Sequence, residues 1–364
     1  MRLQELTGFL ESLAPTALQE DYDNAGLIAG DLEQEVSKAI ISLDCTEAVI
    51  AEAVAEKAQV VIAHHPVVFR GLKKLTGATY VERTVLQAVR NNIALYAIHT
   101  NLDHVPHGVN AKICERLGIG DTRILSPKAG KLRKLATFCP HAQAEALRAA
   151  LFSAGAGHIG NYDECSYNLE GYGTFRGGEN TKPFAGEAGR RHREPETRIE
   201  TVYPVHLEKK VLAALFRAHP YEEPAYDLYP LANAWQQAGA GMLGELQTEV
   251  PLLDFLQLVK ERMKAGCVRY TRPVKEKIKK VAVCGGAGGS LLKEAIRAEA
   301  DIFITSDYKY HEFFDAEDRI VIADIGHFES EQFTGQLLLE KISKQFPNFA
   351  ALLTKVNTNP VNYL

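Results

Sequence analysis

"VVIAHHPVVF", residues 60–69, is the stretch on which the reading of the fold turns. An apolar, β-branched run ends in two adjacent histidines and then a proline. Inside a strand, neighbouring side chains point to opposite faces, so two adjacent imidazoles there could not easily share one ion. Past the strand end, with Pro66 stopping the ladder, the backbone can turn and both rings can face the same crevice. Open α/β sheets place their ligands in that crevice, outside the carboxyl ends of the strands. Taken alone, the pair also has a plainer reading, with one histidine capping the strand and the other exposed.

The flanking sequence supplies the sheet. Residues 3–14 and 16–19 look helical, and Ala39–Asp44 (AIISLD) reads as a strand. Thr46 is placed to cap the helix that follows, to about Lys57. Gln59–Ala63 is a buried strand ending at His64, a helix follows near 80–91, and Ile93–Ile98 is a strand. This βαβαβ order predicts a sheet with helices on its faces. The C-terminal part repeats it with strand Lys280–Cys284, the turn GGAGGS, helix Leu291–Glu299, strand Asp301–Thr305, a short helix and strand Ile320–Ile325. "EAVAEKAQVVIAHH" from Glu52 and "EAIRAEADIFITSD" from Glu294 share their first two residues and an alanine before the strand, at a constant offset of 242. The expectation is an α/β protein of two related halves.

Between the halves lies a different pattern, over residues 126–235. It reads strand (LATFC), helix 141–154, strands YDECSYNL and GYGTFRG, a charged loop 186–198, strand ETVYPV, helix 207–218 and strand PAYDLYPL. That order suggests an inserted ferredoxin-like α+β domain. The expected division is therefore 1–125 (N-terminal α/β half), 126–235 (insert) and 236–364 (C-terminal α/β half). Arg190–Arg193 reads as a solvated loop and not as a nucleic-acid patch. His219 and Glu222 sit in a segment whose alternation suits a half-buried strand.

Composition narrows the function classes. A chain of 364 residues exceeds what one hydrophobic core usually serves. With 46% hydrophobic and 24% charged residues it reads as an ordinary globular protein. A formal charge of −5 gives no global reason to bind nucleic acid. No apolar run is long enough to span a membrane. The first residues carry acids and lack an apolar h-region, so they do not read as a signal peptide. The six cysteines are scattered with no C-x-x-C pair, which fits reduced thiols in a cytoplasmic protein. Cys45 reads as a small buried apolar residue.

Two further segments turn the His-His pair into a candidate metal site. The strand Ile93–Ile98 runs into HTNLD, with His99 and Asp103 four apart. The strand Ile320–Ile325 runs into GHFESE, with His327 and Glu331 also four apart, and an offset of 228 relates the pairs. Three histidine or carboxylate clusters thus follow predicted strands. Imidazole and carboxylate without thiolate suit zinc, iron, manganese or cobalt. So many ligands exceed the need of one tetrahedral ion and point to two divalent metal ions.

At these residues the sequence resembles the Nif-three-like dinuclear-metal family, whose members are called GTP cyclohydrolase 1 type 2 homologs. The motifs are DYDNAGLIAG (21–30), AHHPVVF (63–69), HTNLDHVPHGVN (99–110), GMLGEL (241–246), VCGGAGGS (283–290), ITSDYKYHEF (304–313) and GHFESE (326–331). They span both halves. Ser306 stands where the family often has glycine. The resemblance implies His64, His65, Asp103, His327 and Glu331 as metal ligands, with His99 as a ligand or just behind one. It also implies an insert similar to PII or CutA regulators, and a homohexamer with its metal sites facing an internal cavity.

Other features stay open at this level. GGAGGS is a tight turn or a phosphate-holding loop. Asp307, Lys309 and His311 follow a strand at the same edge and are candidate substrate contacts. Asp23 and Asn24 cap a turn or reach the site. The leading expectation is a metal-dependent hydrolase acting on a small molecule, in which bound ions activate water. The rival is a metal-binding regulatory or delivery protein with the insert as its sensor.

Overall fold

A computed structural model describes residues 1–364. The chain divides into two compact units, residues 1–127 with 237–364, and residues 128–236. No helix is long and apolar enough to cross a membrane.

The first unit holds two sheets. One runs in the order Gly26–Ala29, Ala94–Ala97, Val60–Ala63, Lys38–Ser42, Ala350–Leu353. Its last four strands are parallel neighbours and Gly26–Ala29 is an antiparallel edge. Val60–Ala63, Lys38–Ser42 and Ala94–Ala97 are apolar almost throughout because parallel strands are covered on both faces. Val60, Val61 and Ile62 are at most 1% exposed. Burial stabilises by about 1.5–3 kcal/mol for each such side chain. Helices Glu47–Ala55 and Tyr80–Arg90 supply the cover through Val49, Ile50, Ala53, Val85 and Ala88. Thr46 does cap the first of them, accepting from the Val49 amide.

The second sheet repeats the first. Its order is Arg269–Tyr270, Val321–Asp324, Ile302–Thr305, Lys277–Val283, Trp235–Pro251, Gly120–Lys128. The second to fourth strands are again parallel, with an antiparallel edge beside them. Ladder partners Ala63 and Ala97 correspond to Thr305 and Asp324. The offset of 242 therefore follows the ladder. The offset of 228 does not, because it overshoots the ladder by one residue. His99 falls opposite Gly326, each the residue before a short helix, so His99 and His327 are not positional twins.

The halves also exchange strands. Gly120–Lys128, which follows the first half, lies at the edge of the second sheet. Ala350–Leu353, which follows the second half, pairs in parallel with Lys38–Ser42 of the first.

The second unit is a four-stranded antiparallel sheet in the order Tyr167–Arg176, Arg191–Pro204, Leu132–Pro140, Tyr226–Leu231. Helices Ala144–Ser153 and Glu208–Ala218 complete a split βαββαβ order. Two expectations need correction here. YDECSYNL and GYGTFRG are not two strands, since one strand, Tyr167–Arg176, crosses both. The charged run 186–198 is not all loop, because Arg191–Pro204 is its 14-residue partner. Tyr167–Glu170 is exposed on both faces, so no apolar alternation marks this hairpin in the sequence. Arg193 lies over the Tyr172 ring at 3.8 Å. His219 is spent structurally, with Nε2 bonded to the Phe138 carbonyl at 2.9 Å.

Candidate metal centre

Each predicted ligand leaves the carboxyl end of a parallel strand. His64 and His65 follow Val60–Ala63, and their amides still bond Ser42 and Leu43 carbonyls on the neighbouring strand. Asp103 ends the short helix Thr100–Asp103 after Ala94–Ala97. His327 and Glu331 bound the short helix His327–Glu331 after Val321–Asp324. The other four are gathered around the Glu331 carboxylate, which is 3% exposed.

The two oxygens of Glu331 face two separate groups. Oε2 lies 2.9 Å from His65 Nε2 and 3.2 Å from His327 Nε2, and those two nitrogens are 3.4 Å apart. Oε1 lies 3.8 Å from His64 Nε2, which is 3.7 Å from Asp103 Oδ1. Ligand bonds of about 2.0–2.2 Å at tetrahedral angles put donors roughly 3.4 Å apart. The first group is at or just inside that spacing and the second is a few tenths of an ångström wider.

Tautomers decide how the first imidazole is aimed. His64 Nδ1 meets the Ile98 carbonyl at 2.8 Å, and a carbonyl only accepts, so Nδ1 carries the proton. Burial pushes the His64 pKa down and keeps the ring neutral. Its Nε2 lone pair therefore faces two carboxylates. His64 Nε2 and Asp103 Oδ1 are both buried with no hydrogen-bond partner. Such groups are costly to leave unmatched unless a cation lies between them.

The remaining imidazoles are held the same way. His65 Nδ1 meets Asp44 Oδ1 at 2.8 Å, His327 Nδ1 meets Asp307 Oδ2 at 2.6 Å, and His99 Nδ1 meets Asp23 Oδ1 at 2.7 Å. A carboxylate behind a ligating histidine orients the ring and raises its basicity. Burial disfavours charge on His65, but Asp44 and Glu331 on either side raise its pKa to about 10. His327 rises to about 9, against burial, between Glu331 and Asp307. Burial and the charge on Glu331 push Asp103 well above the usual carboxylate range. Glu331 itself is drawn well below it, against burial, by His327, His64 and His65.

His99 completes a third group with His64 and His65, its ring centroid 5.3 Å from each. Asp23 reaches the site by holding His99, and Asn24 bonds the Val68 carbonyl at 2.6 Å. Asp307 is brought in, and its left-handed turn, φ 60°, aims it at His327. The other two candidate substrate contacts need correction. Lys309 is 85% exposed beside Glu312, and His311 packs on Tyr310, so neither lines the crevice. The turn at Asp307 sends the following helix outward.

GGAGGS is spent as a turn. The Gly285 amide donates to Asn110, Gly286 to Ser330 and Gly288 to Thr305, which leaves those donors unavailable to phosphate. Gly286 has φ 65°, and a Cβ there would lie 2.5 Å from Glu331 Oε1. The loop needs glycine to let the central carboxylate come close.

Pattern reading missed Asp44, which lies two residues past the strand Lys38–Ser42 beside the His-His strand and could have been found by the same positional rule. It also missed the segment Thr358–Tyr363. Thr358 donates to Asp44 at 2.7 Å, Asn359 donates to Glu329 at 2.9 Å, and Tyr363 lines the crevice.

The family model described as Duf34/NIF3 (NGG1p interacting factor 3) matches residues 1–360. The chain belongs to the DUF34/NIF3 family. A relative in Halalkalibacterium halodurans named "GTP cyclohydrolase 1 type 2 homolog" is 37% identical over 367 residues, covering 99% of this chain and 98% of the relative. One of the same name in Bacillus subtilis is 36% identical over the same shares. Among solved structures, the Bacillus cereus protein related to NIF3 superposes with a TM-score of 0.85 at 37% identity, covering 100% of this chain and 99% of that one. DUF34/NIF3 membership thus agrees with the two-half α/β fold and with a histidine and carboxylate group able to bind metal.

Proposed function

We propose that this DUF34/NIF3 chain is a dinuclear metal-dependent hydrolase. The observation that carries the reading is the pair of unmatched buried atoms, His64 Nε2 and Asp103 Oδ1, facing Glu331. His65, His327 and Glu331 would hold one ion, and His64, Asp103 and Glu331 the other. Nitrogen and oxygen donors without thiolate suit zinc, iron, manganese or cobalt. Divalent cations there would lower the pKa of a water and polarise the bond to be split.

The chain supplies the rest. Asp44, Asp307 and the Ile98 carbonyl hold three imidazoles in place. His99, oriented by Asp23, presents Nε2 to the same space and is the group that takes a proton from the attacking water and returns it to the leaving atom. Thr100 steadies Asp23 through its amide at 3.0 Å and its hydroxyl.

The test is elemental analysis followed by turnover assays on cyclic amides, nucleotides and phosphoesters. Two ions per chain, with activity lost to chelator and restored by metal, are the expected result. Reversible metal release with no turnover on any substrate assigns the site to delivery or regulation instead. Absence of bound metal refutes the reading altogether.

A further inference from the structure

The walls around the centre restrict what can enter. The crevice encloses about 910 Å³, the size of a small-molecule site. Asp44, Asp103, Asp307, Asp324, Glu329 and Glu331 all line it. Arg269 is the only lysine or arginine among its lining residues. That guanidinium is already bonded to the Asp324 carboxylate and to the Tyr308 carbonyl at 3.1 Å. Two divalent cations would not reverse this balance. Three amides of the glycine loop, those of Gly285, Gly286 and Gly288, are occupied, and Lys309 lies outside. A phosphate chain running from the centre along these walls would meet like charge.

Another part of the wall is aromatic. Tyr22 and Phe69 line the crevice while 63% and 44% exposed, with ring centroids 6.0 Å apart and planes tilted by 41°. Phe69 is 6.1 Å from the His99 ring. The bond from Asn24 to the Val68 carbonyl ties the two loops together. The Tyr22 hydroxyl stays protonated at neutral pH, its pKa raised by partial burial and by Glu20, Asp23 and Asp103. The wall thus offers two apolar ring faces and a hydroxyl donor beside the metal ligands.

We infer that the crevice takes a small planar ring, neutral or cationic and without a polyphosphate chain, seated on Tyr22 and Phe69 with its reacting bond at the metal centre. The position of the reacting bond rests on the metal-hydrolase reading, whereas the ring platform does not.

The test is calorimetric titration of the zinc-loaded full chain with guanosine, uridine, the cyclic amide hydantoin, and GTP. At least one of the three uncharged rings is expected to bind, and guanosine at least about tenfold more tightly than GTP. Stacking on a side chain typically contributes enough that truncating the ring weakens binding about 5- to 100-fold. Tyr22→Ala and Phe69→Ala should therefore each weaken the ring that binds by at least about fivefold. Both side chains are solvent-facing, so the variants should keep their circular dichroism and metal content. GTP binding as tightly as guanosine overturns the inference. So does failure of all three uncharged rings to bind, or insensitivity to both truncations. The metal reading fails separately, by absent zinc uptake. In that case ring binding to the metal-free chain persists and still responds to Tyr22→Ala.

Discussion

Replacing Glu331 by glutamine should remove both metal ions, whereas replacing Asp103 by asparagine should remove one. The two oxygens of Glu331 serve different imidazoles. Oε2 lies 2.9 Å from His65 and 3.2 Å from His327, and Oε1 lies 3.8 Å from His64. An amide keeps the shape, surrenders the charge and turns one donor atom into an NH₂ that cannot bind a cation. Loss of a residue merely behind a ligand already costs about 10- to 100-fold in affinity. Loss of a shared, charged ligand should cost each ion at least about 100-fold, or roughly 2.7 kcal/mol. Asp103 touches only the His64 side, at 3.7 Å from His64 Nε2, so Asp103→Asn should spare the ion on His65 and His327. Asp103→Asn should leave the metal-free fold intact, because it removes a buried carboxylate that Glu331 repels. Glu331→Gln also removes the counter-charge of His65 and His327, and should lower the melting temperature of the metal-free chain without unfolding it at room temperature. The assay is zinc titration by calorimetry with elemental analysis, and thermal melts of the metal-free variants as the folding control. Two ions retained by Glu331→Gln, or none retained by Asp103→Asn, would refute the bridged arrangement.

Asp44→Asn should lower affinity about 10- to 100-fold for the ion on His65 alone, read by the same titration. Gly286→Ala should weaken both ions, because its Cβ would sit 2.5 Å from Glu331 Oε1. It should also cost the metal-free fold about 1–2 kcal/mol for the left-handed backbone, visible as a lower melting temperature. Joining Pro127 to Gln237 with a short Gly/Ser linker should leave two ions per chain in the soluble, folded fraction, since every proposed donor lies in the first unit. Asp23 should contribute to acid stability. Burial would raise its pKa, but bonds from His99 and Thr100 lower it to about 2. A folded pKa below the unfolded one gives stability that is present above about pH 4 and lost as pH falls toward 2. With the Asp23 side chain buried, a shift of that size is worth about 2 kcal/mol. The urea midpoint of wild type should therefore fall more steeply than that of Asp23→Asn between pH 5 and 2.5, and parallel curves would discard the assignment.

The sequence made some parts of this molecule legible and hid others for physical reasons. Val60–Ala63 and Ile302–Thr305 announce themselves because strands covered on both faces must be apolar throughout. His64, His65, Asp103, His327 and Glu331 could be singled out because chemistry-bearing residues at the carboxyl ends of parallel strands converge on one crevice. Trp235–Pro251 was hidden by its glycines, which accommodate close backbone approach, as at Gly239 and Gly244, and leave no side-chain pattern. Strands were read within the hairpin of Tyr167–Arg176 with Arg191–Pro204, but its continuity and length were hidden because much of it covers no core. Lys309 and His311 were misplaced because nothing local tells that Asp307 adopts a positive φ. The Tyr22 and Phe69 rings meet only through tertiary structure, so neither motif alone predicts the other.

The strand exchange has a consequence for biosynthesis. Lys38–Ser42 pairs on one side with Ala350–Leu353, made roughly 300 residues later. At about 5–20 residues per second, the edge of the first sheet waits on the order of 15–60 s on the ribosome for its neighbour. His327 and Glu331 emerge in the same late stretch. The nascent chain thus carries an unpaired apolar edge and three lone histidines, His64, His65 and His99, until nearly the end of its own translation. A trigger-type chaperone that shields strand edges during synthesis, and a metal supply that acts only after it, would meet the needs of a protein built in this order.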